Sequence, residues 1–427
     1  MARIFALTTL ALACAAAHAP TAAAADLGKI FSFNGFATFS VVHSNEDKAD
    51  FVGSPLQPDG AGYSHAWDIG PDTKLAGQMH AAITEKFSAT LQVIAQHAYD
   101  DTYTPAIEWA NLKYQVTDDL DVRVGRVVLP MFMFSESRNV GYASAWIRPP
   151  LEVYVVGTGA VTNNDGIDVT YRSKLGGAGN SVQAFYGSKK VKLEADSTAE
   201  GKKSWGINDT LTFGDATLRL SYNSMILDLN VPSLDPVFNG LRGLGRNLLA
   251  FGFTTAGNQS LALAQKYRID EIALKNYALG ASYDPGKWFA MTEVVYNDAS
   301  GLLPDTTAWY IHGGYRVANF TPYATYSSSD AKMIDEPGIS TAGLPGGLAA
   351  GARAINAGVD ATLVAFASAQ HSVSVGVRWD FMSSAALKVQ YDRLSLDEGT
   401  AGHLTNAQPG FQPGNVDLVS IAVDFVF

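Results

Sequence analysis

Seven basic side chains, Lys74, Arg123, Arg172, Arg219, Arg316, Arg378 and Lys388, fall at the polar positions of segments in which apolar and polar residues alternate. The carboxylates Asp168, Glu293, Asp380, Asp392 and Asp424 share those positions. Charges of both signs on one face of a sheet can pair across strands. Facing each other across water, they can instead set a transverse field that orders water and acts on a passing charged or dipolar solute. A second set, Glu136, Arg138, Arg148 and Glu152, stands in one long connection beside Met131, Phe132, Met133, Phe134 and Trp146, and Pro149-Pro150 stiffens its exit. Covalent chemistry has less support. His43, His65, His80, His97, His312, His371 and His403 are scattered without metal spacing. His312 with a wall serine such as Ser374 comes nearest to a base and nucleophile, and no nucleophile motif accompanies them. Gly240-Leu241-Arg242-Gly243-Leu244-Gly245 does not follow a strand, so it is no phosphate cradle.

The elements that must position these groups are strands. In the last twelve residues, Val419, Ile421, Val423, Phe425 and Phe427 share one face, and Ser420, Ala422, Asp424 and Val426 the other. The same period of two recurs from Phe31 to Val41 onward. Examples are Leu75 to Ile83, Leu120 to Val124, Ile167 to Tyr171, Leu218 to Tyr222, Tyr277 to Tyr283, Trp309 to Val317 and Val373 to Phe381. About sixteen such segments fit the chain, an even number. Short turns (Thr84 to Lys86, Thr117 to Asp119, Gly214-Asp215, Asp284 to Lys287, Ala318-Asn319, Ser383-Ser384) alternate with long connections at 43–71, 127–164, 228–270, 328–370 and 395–415. That order belongs to an up-and-down antiparallel barrel with tight turns at one end and long loops at the other. Residues 228–270 also admit one extra hairpin, Asn247–Thr255 with Ser260–Arg268, which would make eighteen strands. Gly338 to Ala367 reads as an outer loop or short helix.

Composition agrees with strands meeting lipid. Of 427 residues, 17% are charged, below the usual ~25%, and 18 Tyr, 21 Phe and 40 Gly suit an all-β chain. No internal stretch approaches the ~20 apolar residues of a membrane helix. The alternating apolar sets are almost free of charge, as lipid-facing positions must be, and tyrosines such as Tyr114, Tyr171, Tyr222, Tyr283 and Tyr391 cluster towards strand ends. Residues 1–25 read as a removable signal peptide: Arg3, an apolar run from Ile4 to Ala17, and Ala23-Ala24-Ala25 before Asp26. Ala11 stands where a lipoprotein signal would place Leu before Cys14, and residues 26–427 contain no cysteine. Without Arg3, 29 basic residues meet 41 acidic ones, a net charge of −12, which argues against a nucleic-acid partner.

The signal, the alternating strands, the terminal Phe427 and the long segment after the fifth strand together resemble the trimeric porins of Gram-negative outer membranes. The third loop lacks the Pro-Glu-Phe-Gly-Gly that many general porins carry. The resemblance implies a homotrimer in outer-membrane lipid, passing small hydrophilic solutes and ions without a cofactor or metal. It also implies that residues 127–165 fold into the barrel as a constriction lined by Glu136, Arg138, Arg148 and Glu152, opposite the seven basic wall residues. An eighteen-stranded substrate-selective channel and a barrel-borne hydrolase are the other readings.

Overall fold

A computed structural model describes residues 30–155, 161–193, 196–332 and 335–427; the expected signal peptide lies outside them. Sixteen long strands follow in chain order. They are β1 (Phe31–Ser44), β2 (Lys74–Ala82), β3 (Phe87–Gln96), β4 (Ala106–Gln115), β5 (Leu120–Val128), β6 (Asn163–Leu175), β7 (Ala178–Lys192) and β8 (Thr198–Phe213). The second half comprises β9 (Ala216–Asn230), β10 (Ile272–Tyr283), β11 (Trp288–Ala299), β12 (Thr306–Tyr315), β13 (Phe320–Ala331), β14 (Gln370–Met382), β15 (Ala385–Leu396) and β16 (Asn415–Val426). A two-residue piece, Trp67–Asp68, in the first long connection also pairs with β1.

Each strand runs antiparallel to its neighbours, and β1 closes the sheet on β16 with Phe36 opposite Val426 and Ser44 opposite Leu418. Closure leaves no sheet edge to expose unpaired backbone, the condition for strands to cross hydrocarbon. The chain end completes the seam. Phe427 donates its amide to Gly35 (3.0 Å) and accepts from it (2.7 Å). Its ring lies where a Cβ at Gly35 would sit, 2.2 Å from Cε2, so only glycine admits it. The even strand count holds, and the short turns all fall at one end, among them Gly214-Asp215 with Gly214 at φ +55°.

Outward positions are apolar along the strands, from Phe33 and Phe39 through Leu218 and Leu220 to Val419 and Ile421. Two aromatic girdles bound them. At the short-turn end Phe87 meets Tyr114, Tyr283 meets Trp288 and Phe320 stacks on Trp379. Towards the long loops Trp205, Tyr222, Tyr277 and Tyr296 form a row. Tyr277 and Tyr283 are six residues apart on β10, about 20 Å along a strand, close to the ~25 Å apolar band of such barrels. The chain is a transmembrane barrel; no helix among the described residues is long and apolar enough to cross.

The alternative strand count fails. Asn247–Thr255 and Ser260–Arg268 are not a hairpin: α2 (Asp235–Ala250) and α3 (Thr254–Lys266) occupy that connection, so the eighteen-stranded reading is withdrawn. Here α1 denotes the short turn Leu151–Tyr154. Phe238, Leu241, Gly245 and Leu248 recur every three or four residues, the helical spacing. Gly245 and Gly257 let the two helices touch backbone to side chain. A third long helix, α4 (Gly346–Phe366), takes up most of the Gly338–Ala367 stretch and shares their core through Ala352, Val359 and Leu363.

Candidate functional site: the loop in the lumen

The segment joining β5 to β6 leaves the rim at Leu129 and packs against side chains that point into the barrel. Its apolar residues do this first: Met131, Phe132, Trp146, Val153 and Tyr154 share a core with Met225 of β9, Leu274 and Ala278 of β10, Val295 of β11, and Ala308 and Tyr310 of β12. Trp146 stands edge-on to Tyr310 (5.8 Å) and against His312 (4.3 Å). The apolar run noted in the sequence is thus the loop's packing face. It works because the inner side of β9 to β12 carries an apolar patch of its own among polar residues.

Polar groups then fix the loop at both ends. Glu293 of β11, 1% exposed, accepts the Met133 amide (2.9 Å) and the Tyr154 hydroxyl (3.0 Å). Burial and the neighbouring Glu293 carboxylate hold the Tyr154 phenol well above its ordinary range. Glu152 of α1 accepts from Ser327 (2.9 Å), Gln370 (2.7 Å) and Ser372, joining β13 and β14. Arg148 makes the widest span: Nε to Asp72 (2.9 Å), NH1 to Asp392 (3.0 Å), NH2 to Ser420 (2.7 Å). Burial alone raises the Asp72 carboxyl, but the Arg148 charge and hydrogen bond outweigh it, and the group sits below the usual carboxylate range.

The tip of the loop is held hardest. Lys388, 0% exposed, donates to the carbonyls of Gly141 and Trp146 (2.7 Å each) and pairs with Asp424 at 2.8 Å. Thr38 donates to the same Asp424 at 2.6 Å. A Cβ at Gly141 would lie 2.1 Å from Asp424 Oδ1, so only glycine lets the tip ride over this pair. Arg378 donates to the carbonyls of Tyr142 and Ser144 while gripping Asp380. Arg219 reaches Pro130 O at 2.9 Å. Four of the predicted basic residues (Arg148, Arg219, Arg378, Lys388) therefore spend their hydrogen bonds holding the loop.

The other predicted residues are placed differently. Arg123 grips Asp168 with two bonds (2.9 and 2.7 Å) on β5 and β6. Arg172 and Lys113 share Asp121 on the same sector. Glu136 is exposed on the loop, and its charge acts on both Arg123 and Arg219. Arg138 lies under the Tyr154 ring and beside a cavity of about 280 Å³ that Lys74, Asp72 and Glu108 also line. Arg316 sits apart: it lies just past β12 at the short-turn rim, held by Asp284 at 2.7 Å twice. His312 bonds Thr325 (2.7 Å), one strand short of Ser374, so that pair does not meet. Parity puts Lys113 and Asp121 on the polar face without singling them out as site residues; Asp72 and Gly141 were missed, and nothing local flags them.

No family model matches the chain, and no curated protein matches it in sequence. Solved structures do match in shape. A loop-deleted OmpT of Vibrio cholerae is 13% identical, with TM-score 0.51 over 93% of this chain and 99% of that one. The outer-membrane channel DcaP of Acinetobacter baumannii is 11% identical, TM-score 0.52, over 93% and 97%. OmpF of Salmonella typhi, solved with daunomycin, is 12% identical, TM-score 0.53, over 93% and 97%. At such identities the likeness is one of fold: this chain is a closed sixteen-stranded barrel of the porin type.

Proposed function

We propose that the mature chain, cleaved after residue 25, is an outer-membrane porin. In this reading it forms a homotrimeric, water-filled channel through which small hydrophilic solutes diffuse passively, with no cofactor and no energy source. The observation that carries the reading is the asymmetry of the lumen. The inserted loop lies on the inner face of β9 to β16 and β1, while the charged face of β4 to β6 is left looking across at Glu136. A neck of this kind sorts by size, and Arg123, Arg172, Lys113 and Glu136 bias it by charge. The closed sheet and its apolar exterior support placement in a membrane, and an OmpT of Vibrio cholerae solved in trimer form (TM-score 0.50) supports the trimer. In planar bilayers the purified protein should give stepwise ohmic currents in KCl. Replacing Arg123 by Ala should shift the reversal potential towards cations. Absence of steps would overturn the reading.

A further inference from the structure

Above the inserted loop, at the long-loop end, a cavity of about 430 Å³ opens whose walls contradict a purely hydrophilic path. Val191 of β7, Met225, Leu227 and Leu229 of β9, Leu274 of β10 and Phe366 of α4 line it. On β9 the apolar Met225, Leu227 and Leu229 continue the inward positions held lower down by Arg219, Ser221 and Asn223, so the inner face of the strand turns from polar to apolar there. Water against such a wall gains nothing, whereas an apolar solute body would displace it. The volume falls in the ~300–1,000 Å³ range of small-molecule sites, which pair an apolar lining with a few placed polar groups.

Those polar groups are present. Asn164, 1% exposed, lines the cavity, and neither its oxygen nor its nitrogen has a hydrogen-bond partner among the described residues. It lies over Gly187, where a Cβ would come within 2.3 Å of its Nδ2. Asn163 Oδ1 and Asn297 Nδ2 are buried and unpartnered on the same lining. Buried amides left unpaired are rare and costly, which marks the place where a ligand's polar end completes them. Lys189 gives that end its sign. It lines this cavity and also the polar one below it, whose lining carries six basic side chains (Lys74, Arg126, Arg138, Arg148, Lys189 and Lys192) against the acidic Asp72 and Glu108. The two cavities adjoin through Leu56, Leu151, Val161, Asn163, Lys189 and Val191.

We infer that this vestibule is a binding site for amphiphilic organic anions, monocarboxylates with an apolar body, held by the β9–β10 wall and by Lys189 with Asn163 and Asn164, before they enter the neck. The inference rests on the channel reading and names the solute class it favours. Its test is the block of KCl current by butanoate, hexanoate and octanoate added to the long-loop side, with octylammonium as the counter-probe. Full burial predicts about fourfold tighter block per added methylene, and octylammonium should block at least fivefold more weakly than octanoate. Lys189→Gln should erase the preference for octanoate over octylammonium, and Leu227→Asn should flatten the dependence on chain length. Block that ignores chain length, or is equal for the two head groups, overturns the inference while the channel reading stands. Should the wild type carry no current, the channel reading fails by itself. Saturable octanoate binding to the protein in nanodiscs, corrected against empty discs, then decides the vestibule alone, and its absence overturns it.

Discussion

Two sectors of the lumen wall carry the same residue types at the same parity and do opposite things. On β14 to β16, Arg378, Lys388, Asp392 and Asp424 are covered by the inserted loop and bonded to its carbonyls and to Arg148. On β4 to β6, Lys113, Arg123 and Arg172 pair with the buried Asp121 and Asp168 and stay partly exposed to the open lumen. The first sector is dry and its charges are structural. The second is wet, and its charges are free to act on solutes. What separates them is not these charges themselves but which side of the barrel the loop lies on, and that follows from the apolar patch of Met225, Leu274, Ala278, Val295, Ala308 and Tyr310 on the inner side of β9 to β12.

The sharpest way to break the comparison is to unpair the dry sector. Lys388→Ala leaves Asp424 buried without its cation, a loss of about 3–5 kcal/mol. The loop should detach, become cleavable by protease near residue 141, and widen the pore. Next comes acidification. Asp72 has its folded value lowered, so the stability it lends loop docking is complete above the ordinary carboxylate value near 3.8 and is lost as pH falls through the lower folded value. Protease sensitivity of the loop should rise only in that acidic window, and Asp72→Asn should make docking weak at every pH and remove the step. In the wet sector the effects are smaller. Glu136→Gln should move the permeability ratio towards anions roughly two- to fivefold, because a lumen charge in water at 0.1 M salt acts through less than about 1 kcal/mol. An unchanged reversal potential would take Glu136 out of the neck. The smallest effect belongs to Arg316→Ala. Its exposed pair with Asp284 lies at the rim, so conductance should not change and stability should fall by less than about 1 kcal/mol.

Strand number, turn placement and the sign of each face were legible because a period of two is local and repeats. The same reading identified the loop from its length and its cluster of Met, Phe and Trp. Arg123 and Glu136 are partly or fully exposed on the side of the lumen that the loop leaves open. Arg378 and Lys388 sit inward as parity requires, and Arg148 lies on the loop, yet their jobs were hidden, because position says which side a charge faces and not what lies against it. Asp72 and Asp424 meet the loop across 76 and more residues of sequence, and Gly141 matters only through that meeting. The alternative hairpin over 247–268 failed for another reason: Leu, Ala and Gly at three- and four-residue spacing pack as helices, and reading them for alternation discards that spacing. The apolar vestibule was missed because inward positions were assumed polar throughout.

Single-channel conductance of the wild type beside a variant in which residues 131–154 are replaced by a short Gly-Ser linker tests the central claim, that a water-filled barrel is narrowed by a loop fixed to one wall. Ohmic steps from the wild type and clearly larger steps from the variant are the predicted result. Equal step heights would contradict it, since the loop would then not narrow the path at all.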